Sequence, residues 1–346
     1  MGNGGNKMVK TKYEEYYRIL CPDYPDWLDE YILTPRMQKQ AGISMTCGTL
    51  YTDLFPDSGL YTSLDHSIGV ALIVWHFTHD KKQTLAGLFH DIATPAFKHC
   101  VDFMNGDYMT QESTEELTTK LIEESPEIMK LLKRDGIKVS EVDNYHLYPI
   151  ADNDTPQLSA DRLEYSLSNP CFVYPIKTLE QISNIYKDIE VQKNPNGEME
   201  LGFKTKTAAR ELVRMTSRLS VLYRDERTRY SMQFIADVLR KISDQGHISV
   251  SDLYEKSEAD VIDIIGKSDY KDVFETWRRA KKIHKSKTQP PEDVYYVNHP
   301  AKIRYIDPLF NGERISKQCK IASKAIEKNL AYDMDYYTFL PEIKQF

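Results

Sequence analysis

Between Leu64 and Phe77 apolar residues recur at helical spacing, with Ile68, Ala71, Leu72 and Trp75 along one stripe. The opposite side, Val70, Ile73, Val74 and Phe77, is apolar as well, which predicts a helix surrounded by core. A second buried helix is predicted over Gln83 to Ile92 from Leu85, Leu88, Phe89 and Ile92. It must stop near Thr94, because the residue before Pro95 disfavours helical backbone, and Asp91 then falls in its last turn. Further helices are predicted at Glu112 to Glu124, Ser159 to Leu167, Thr178 to Tyr186 and Thr207 to Tyr223, with Thr178 and Gln181 spaced as a capping box. Ile189/Val191 and Met199/Leu201/Phe203 alternate around Asn196-Gly197, the pattern of a β-hairpin. Helices resume at Arg227 to Lys241, Asp260 to Gly266 and Tyr270 to Lys281. A Pro-rich turn, a mixed segment from Tyr295 to Tyr305 and a helix from Ile315 to Asn329 follow. The chain reads as mainly α, without internal repeats: a disordered lead-in over 1–9, a helical core over 10–240 with the hairpin near 189–203, and a C-terminal helical extension over 241–346.

Composition narrows the function classes. The chain has 346 residues, 41% of them hydrophobic, enough to bury a sizeable core. A net charge of -7 argues against a nucleic-acid binder with a broad positive face. Five scattered cysteines without paired spacing indicate neither a disulfide framework nor a zinc knuckle, and a reducing, cytoplasmic setting is expected. The longest apolar stretch, Gly69 to Phe77, is far short of the roughly 18 residues of a membrane span. The start of the chain has Asn6 where a myristoylation pattern wants Ser or Thr, and it lacks the apolar core of a signal peptide. The basic run from Arg278 to Lys287 holds six Lys or Arg in ten residues, but without interleaved aromatic residues it reads as a solvated helix end.

Candidate chemistry centres on histidine followed by aspartate. His79-Asp80 precedes two lysines and reads as an exposed polar corner. His90-Asp91 ends a buried helix, where a carboxylate needs a partner. His66 sits near the start of the other central helix, so two helices can offer an imidazole to one point. Two imidazoles and two carboxylates suit a divalent ion with positions left for water and substrate. On residue types alone, a metal site and a hydrogen-bonded structural histidine both remain open.

The strings Asp65-His66-Ser67-Ile68-Gly69-Val70, Leu88-Phe89-His90-Asp91-Ile92 with Phe97 and His99 beyond it, and Ala160-Asp161-Arg162-Leu163-Glu164-Tyr165 resemble the ordered H…HD…D signature of the HD-domain phosphohydrolases. Within that superfamily they look like the branch of deoxynucleoside triphosphate triphosphohydrolases and SAM-and-HD-domain proteins. Leu222-Tyr223-Arg224 and Lys302-Ile303-Arg304-Tyr305-Ile306-Asp307-Pro308 match the same branch, so the resemblance runs from about residue 40 to 325.

The resemblance implies a multi-helical HD-domain fold and a divalent metal ion (Mn, Fe, Mg, Ni or Zn) held by His66, His90, Asp91 and Asp161, with Asp91 as the bridge if two ions bind. It implies proton transfer by His99 or Glu112, and substrate contacts from Arg162, Tyr165, Arg218 and Arg224. The implied activity is metal-dependent cleavage of a phosphate ester or anhydride in a nucleotide or related small phosphate compound, by a homo-oligomer without membrane or nucleic-acid partners. The alternatives are a deoxynucleoside triphosphate triphosphohydrolase with a variant pocket, and a metal-binding regulatory protein with little turnover. The chain departs from the branch where Ser63 replaces an arginine, Thr94 a catalytic histidine, Gln111 the histidine of a His-Glu pair and Asn169 an aspartate on the sugar 3′-hydroxyl. Arg227 stands where a tyrosine lies beside the nucleoside.

Overall fold

The structure, a computed structural model, describes residues 12–111 and 117–346. Its centre is the helix Ser63–Thr78, opened by a capping box in which the Thr62 hydroxyl accepts from the Asp65 N–H and the Asp65 carboxylate accepts from the Thr62 N–H. Residues on all sides of it are buried from Ser63 to Val74, as a uniformly apolar helix requires. The helix Lys81–Phe89, capped by Asp80, returns along it. Gly87 makes this close approach possible: a β-carbon there would lie 3.3 Å from both Val70 and Val74.

This second helix ends at Phe89, three residues before the predicted boundary, and Asp91 lies in the turn beyond it. The reason is local. The His90 Nδ1 bonds the Gly87 carbonyl at 2.7 Å, the acceptor that the Asp91 N–H would use in a continued helix. Tight turns follow, from Ile92 N–H to Phe89 and from Thr94 N–H to Asp91.

The helix Ala160–Ser168, capped by Ser159, packs against the central helix, and Lys206–Leu222 packs against Ala160–Ser168. Lys206–Leu222 is followed by the long helix Glu226–Asp244. Of the helix predicted over Glu112 to Glu124, Thr118–Glu123 is present, and residues 112–116 lie outside the described residues. The predicted helix from Ile315 is divided into Ile315–Gln318 and Lys320–Leu330 by Cys319 in extended backbone.

The hairpin forms as expected from β1 (Ile189–Lys193) and β2 (Met199–Phe203), with Ile189 opposite Phe203 and Gly197 at φ 89° in the turn. A second, three-stranded sheet was not anticipated. It has β3 (His284–Ser286) and β4 (Val294–Val297) on either side of a later strand, Tyr337–Lys344. The chain segments Leu309–Phe310 and Glu313–Arg314 extend the hairpin to four strands.

Buried apolar residues form two clusters. The first gathers around the helices Ser63–Thr78, Ala160–Ser168 and Lys206–Leu222. The second joins Phe97, Cys100, Val101 and Phe103 to the helix Glu226–Asp244 and to most of the chain beyond it. Among the described residues, no helix is long and apolar enough to cross a membrane.

Candidate metal centre

The central helix delivers His66, the turn after Phe89 delivers His90 and Asp91, and the first turn of Ala160–Ser168 delivers Asp161. His66 Nε2 lies 3.0 Å from Asp161 Oδ1 and 3.2 Å from His90 Nε2, and His90 Nε2 lies 3.7 Å from Asp161 Oδ1. Asp91 Oδ1 is 3.8 Å from His90 Nε2. Of the four residues implied as ligands, three therefore offer atoms to one point, with Asp91 at its edge.

Both imidazoles are oriented from behind. His66 Nδ1 donates to Glu164 Oε2 at 2.5 Å, and His90 Nδ1 donates to the Gly87 carbonyl. Their Nε2 atoms thus face each other and the Asp161 carboxylate, an arrangement that needs positive charge at its centre, either a proton on His66 or a metal ion. Burial disfavours charge on His66, yet Glu164 and Asp161 outweigh it and push its pKa up to about 10. Burial likewise opposes ionisation of Asp91, but Lys98, His90 and His66 hold its carboxyl well below the usual range. A divalent ion, with imidazole and carboxylate ligands, fits this donor set.

Glu164 has no role in the sequence reading. It is fully buried and accepts from Tyr16 at 3.1 Å, Tyr61 at 2.6 Å and Ser168 at 3.2 Å as well as from His66. Gly69 leaves room for it, since a β-carbon there would sit 2.7 Å from Glu164 Oε1. Lys98 is the other unanticipated residue. Buried, it places Nζ 2.6 Å from Asp91 Oδ2, and Ser63 Oγ bonds the same oxygen at 3.2 Å.

The proposed catalytic and substrate residues fare unevenly. His99 follows Lys98 and bonds the buried Asp102 at 2.9 Å. Burial, with Arg304 and Lys98 nearby, draws its pKa below the usual value despite Asp102. Glu112 lies outside the described residues. Tyr165 lines a narrow cleft with Tyr223, Arg304 and Tyr305, and burial together with the Asp161 charge pushes its pKa up to about 12. Arg304 donates to Gln111 at 2.7 Å.

Three arginines that the resemblance implies as substrate contacts are placed as follows. Arg162 is held by the Gln157 carbonyl, Asn153 and Asp152, so its guanidinium faces that loop. Arg224 is wholly buried and bonds Ser220 and Asn329, tying the helix Lys206–Leu222 to Lys320–Leu330. Arg218 is exposed, while Thr216, Leu219 and Ser220 of its helix line the cleft without it. The departures from the branch are also engaged internally: Asn169 donates to the Tyr223 hydroxyl, and Arg227 pairs with Asp225. His79 is exposed at the helix end, as a polar corner should be.

No family model matches the chain. It is 25% identical over 273 residues to the uncharacterized protein YdhJ of Bacillus subtilis (strain 168), covering 76% of this chain and 78% of that one. It is 28% identical over 145 residues to the metal-dependent phosphohydrolase cns2 of Cordyceps militaris, covering 40% of this chain and 39% of the relative. Among solved structures, a phosphohydrolase from Bacteroides thetaiotaomicron superposes with a TM-score of 0.62 at 14% identity, over 93% of this chain and 97% of that one. A hypothetical protein from Aquifex aeolicus gives 0.62 at 14%, over 92% and 93%. The chain thus has the fold of a solved phosphohydrolase and is similar in sequence, over part of its length, to a metal-dependent one.

Proposed function

We propose that this chain is a metal-dependent phosphohydrolase acting on a nucleotide or related small phosphate compound, with the ion held by His66, His90, Asp91 and Asp161. The observation that carries the reading is the pair of imidazole Nε2 atoms 3.2 Å apart, each fixed by a bond to its other nitrogen, beside the Asp161 carboxylate. A divalent ion bound there supplies an activated water and polarises a phosphoryl oxygen. Lys98 and Arg304 bring positive charge for phosphate, and Tyr165, Tyr223 and Tyr305 form the wall for the rest of the substrate. The resemblance offers His99 as the acid for the leaving group; held by Asp102 and with its pKa drawn down by burial, it is better suited to accept a proton or position water. Ser63 and Asn169 are bonded within the protein, which favours a broad phosphate substrate class over selective recognition of a deoxynucleoside triphosphate.

The test is elemental analysis of purified protein, coupled to a panel of nucleoside mono-, di- and triphosphates and an aryl phosphate with Mn, Fe, Mg, Ni and Zn. His90→Ala should lose both the ion and turnover, and His79→Ala should keep both. Equal effects would reject the ligand set. A tightly bound ion without turnover on any substrate would favour the regulatory alternative, and selective release of triphosphate from one deoxynucleotide would restore the triphosphohydrolase reading.

A further inference from the structure

The Asp91 carboxylate has two faces. Oδ1 looks toward His90 Nε2, and Oδ2 carries Lys98 Nζ at 2.6 Å and Ser63 Oγ at 3.2 Å. A carboxylate that bridges two metal ions presents one oxygen to each, and such ions stand about 3.5–4 Å apart. Here the second oxygen already meets an ammonium. Among the described residues, His66, His90 and Asp161 are the one trio of potential ligands that converges.

The backbone is arranged for this contact. Phe97 and Lys98 both have left-handed φ, 65° and 47°, which is uncommon for residues that carry a β-carbon. The segment is held in place by the Ala96 N–H to the Leu253 carbonyl at 2.8 Å and by the Phe97 N–H to Glu258 at 3.3 Å. Two bonds from a distant part of the chain therefore fix a conformation whose outcome is a buried lysine against Asp91.

We infer that Lys98 is a built-in cation occupying the place of a second metal ion, so that the centre takes one divalent ion and uses the ammonium for the remaining charge at the phosphoryl group. The inference rests on the metal-dependent reading above. It makes Asp91 a ligand on one side only and gives the site a second positive centre whose presence does not depend on the metal supply.

The experiment is equilibrium dialysis of the full chain against excess Mn²⁺, with ion content by elemental analysis and electron paramagnetic resonance to detect coupled Mn pairs. Wild type should hold one uncoupled ion. Lys98→Ala should acquire a spin-coupled second ion, Lys98→Arg should stay at one, and Lys98→Ala/Asp91→Asn should lose the coupling. A coupled pair in wild type overturns the role of Lys98 while leaving the metal reading standing, and this result needs no variant to fold. A single uncoupled ion in folded Lys98→Ala overturns it too. No ion at all in wild type overturns the metal reading, and the inference with it.

Discussion

Glu164 illustrates what a single residue does for the candidate site without facing it. Its two oxygens accept four side-chain hydrogen bonds, and the one from His66 Nδ1 decides which imidazole nitrogen faces Asp161. Loss of such a partner behind a ligand typically weakens metal affinity by about 10- to 100-fold. Glu164→Gln is therefore expected to lower metal affinity by that order while the protein stays folded, because the amide oxygen still accepts from the tyrosines. A metal titration with a competing chelator, beside a thermal melt, checks this. Unchanged affinity would show that the His66 orientation is set elsewhere. His66 and His90 are legible from the residues, since imidazoles on apolar helices need partners, whereas Asp161 is reached only through the resemblance to the ordered H…HD…D signature. The sequence left Glu164 silent because its donors are far apart along the chain: Tyr16 is separated from it by 148 residues and Tyr61 by 103. Lys98 was hidden for another reason, as nothing in the residues around Pro95 announces left-handed backbone at Phe97 and Lys98.

Elements were legible where one pattern dominates. The buried central helix was placed to within a residue of Ser63–Thr78, and the hairpin was found from its Asn-Gly turn and alternating flanks. Short pieces such as His99–Met104 and Leu28–Ile32 carry too few residues to show a period, and the sheet of β3, β4 and Tyr337–Lys344 includes Pro341 and charged residues that mask its strands. A long-range contact that no local pattern announces, made by a helix that was legible, positions the site. Glu258, at the start of the helix Glu258–Ile265, is fully buried and accepts from Tyr51 at 2.8 Å and from the Phe97 N–H. Burial raises its pKa from 4.5 to about 7 against those hydrogen bonds and the Lys98 charge. The folded chain thus keeps a proton that the unfolded chain releases. The associated stability is full below about pH 4.5, declines as pH rises toward 7, and changes little above. Glu258→Gln removes the titration, so the variant should gain on wild type from pH 5 to 7, by about 3 kcal/mol at most. Urea unfolding of both proteins across this range measures the difference. A gap that does not vary with pH would mean that Glu258 is ionised in the folded chain throughout.

At the scale of the whole molecule, the candidate site straddles the two apolar cores. His66, His90 and Asp161 stand on elements packed into the first core, through neighbours such as Val70, Phe89 and Leu163. Lys98 and His99 are flanked by Phe97, Cys100 and Val101, which belong to the second, where Phe234, Phe274 and Trp277 also lie. The candidate metal ligands and Lys98 are thus supported by different packing, and damage to one core should separate their proposed roles. Trp277 is fully buried, packs its ring near Phe234 and Phe274, and donates to Ser231 at 3.1 Å. Trp277→Ala should cost about 3–5 kcal/mol and loosen the segment that carries Lys98. At a temperature where the variant remains folded, it should retain its metal yet turn over substrate at least about tenfold more slowly, a loss of roughly 1.4 kcal/mol in transition-state stabilisation. Leu163→Ala, in the first core and on the helix that carries Asp161, should lower metal content and turnover together. Elemental analysis and rate assays on both variants decide the matter. Equal metal loss from the two would mean that the cores act as one unit and that Lys98 has no separate support; metal retained with turnover lost in Trp277→Ala alone would establish that the second core governs the site through Phe97 and Lys98 rather than through the ligands themselves.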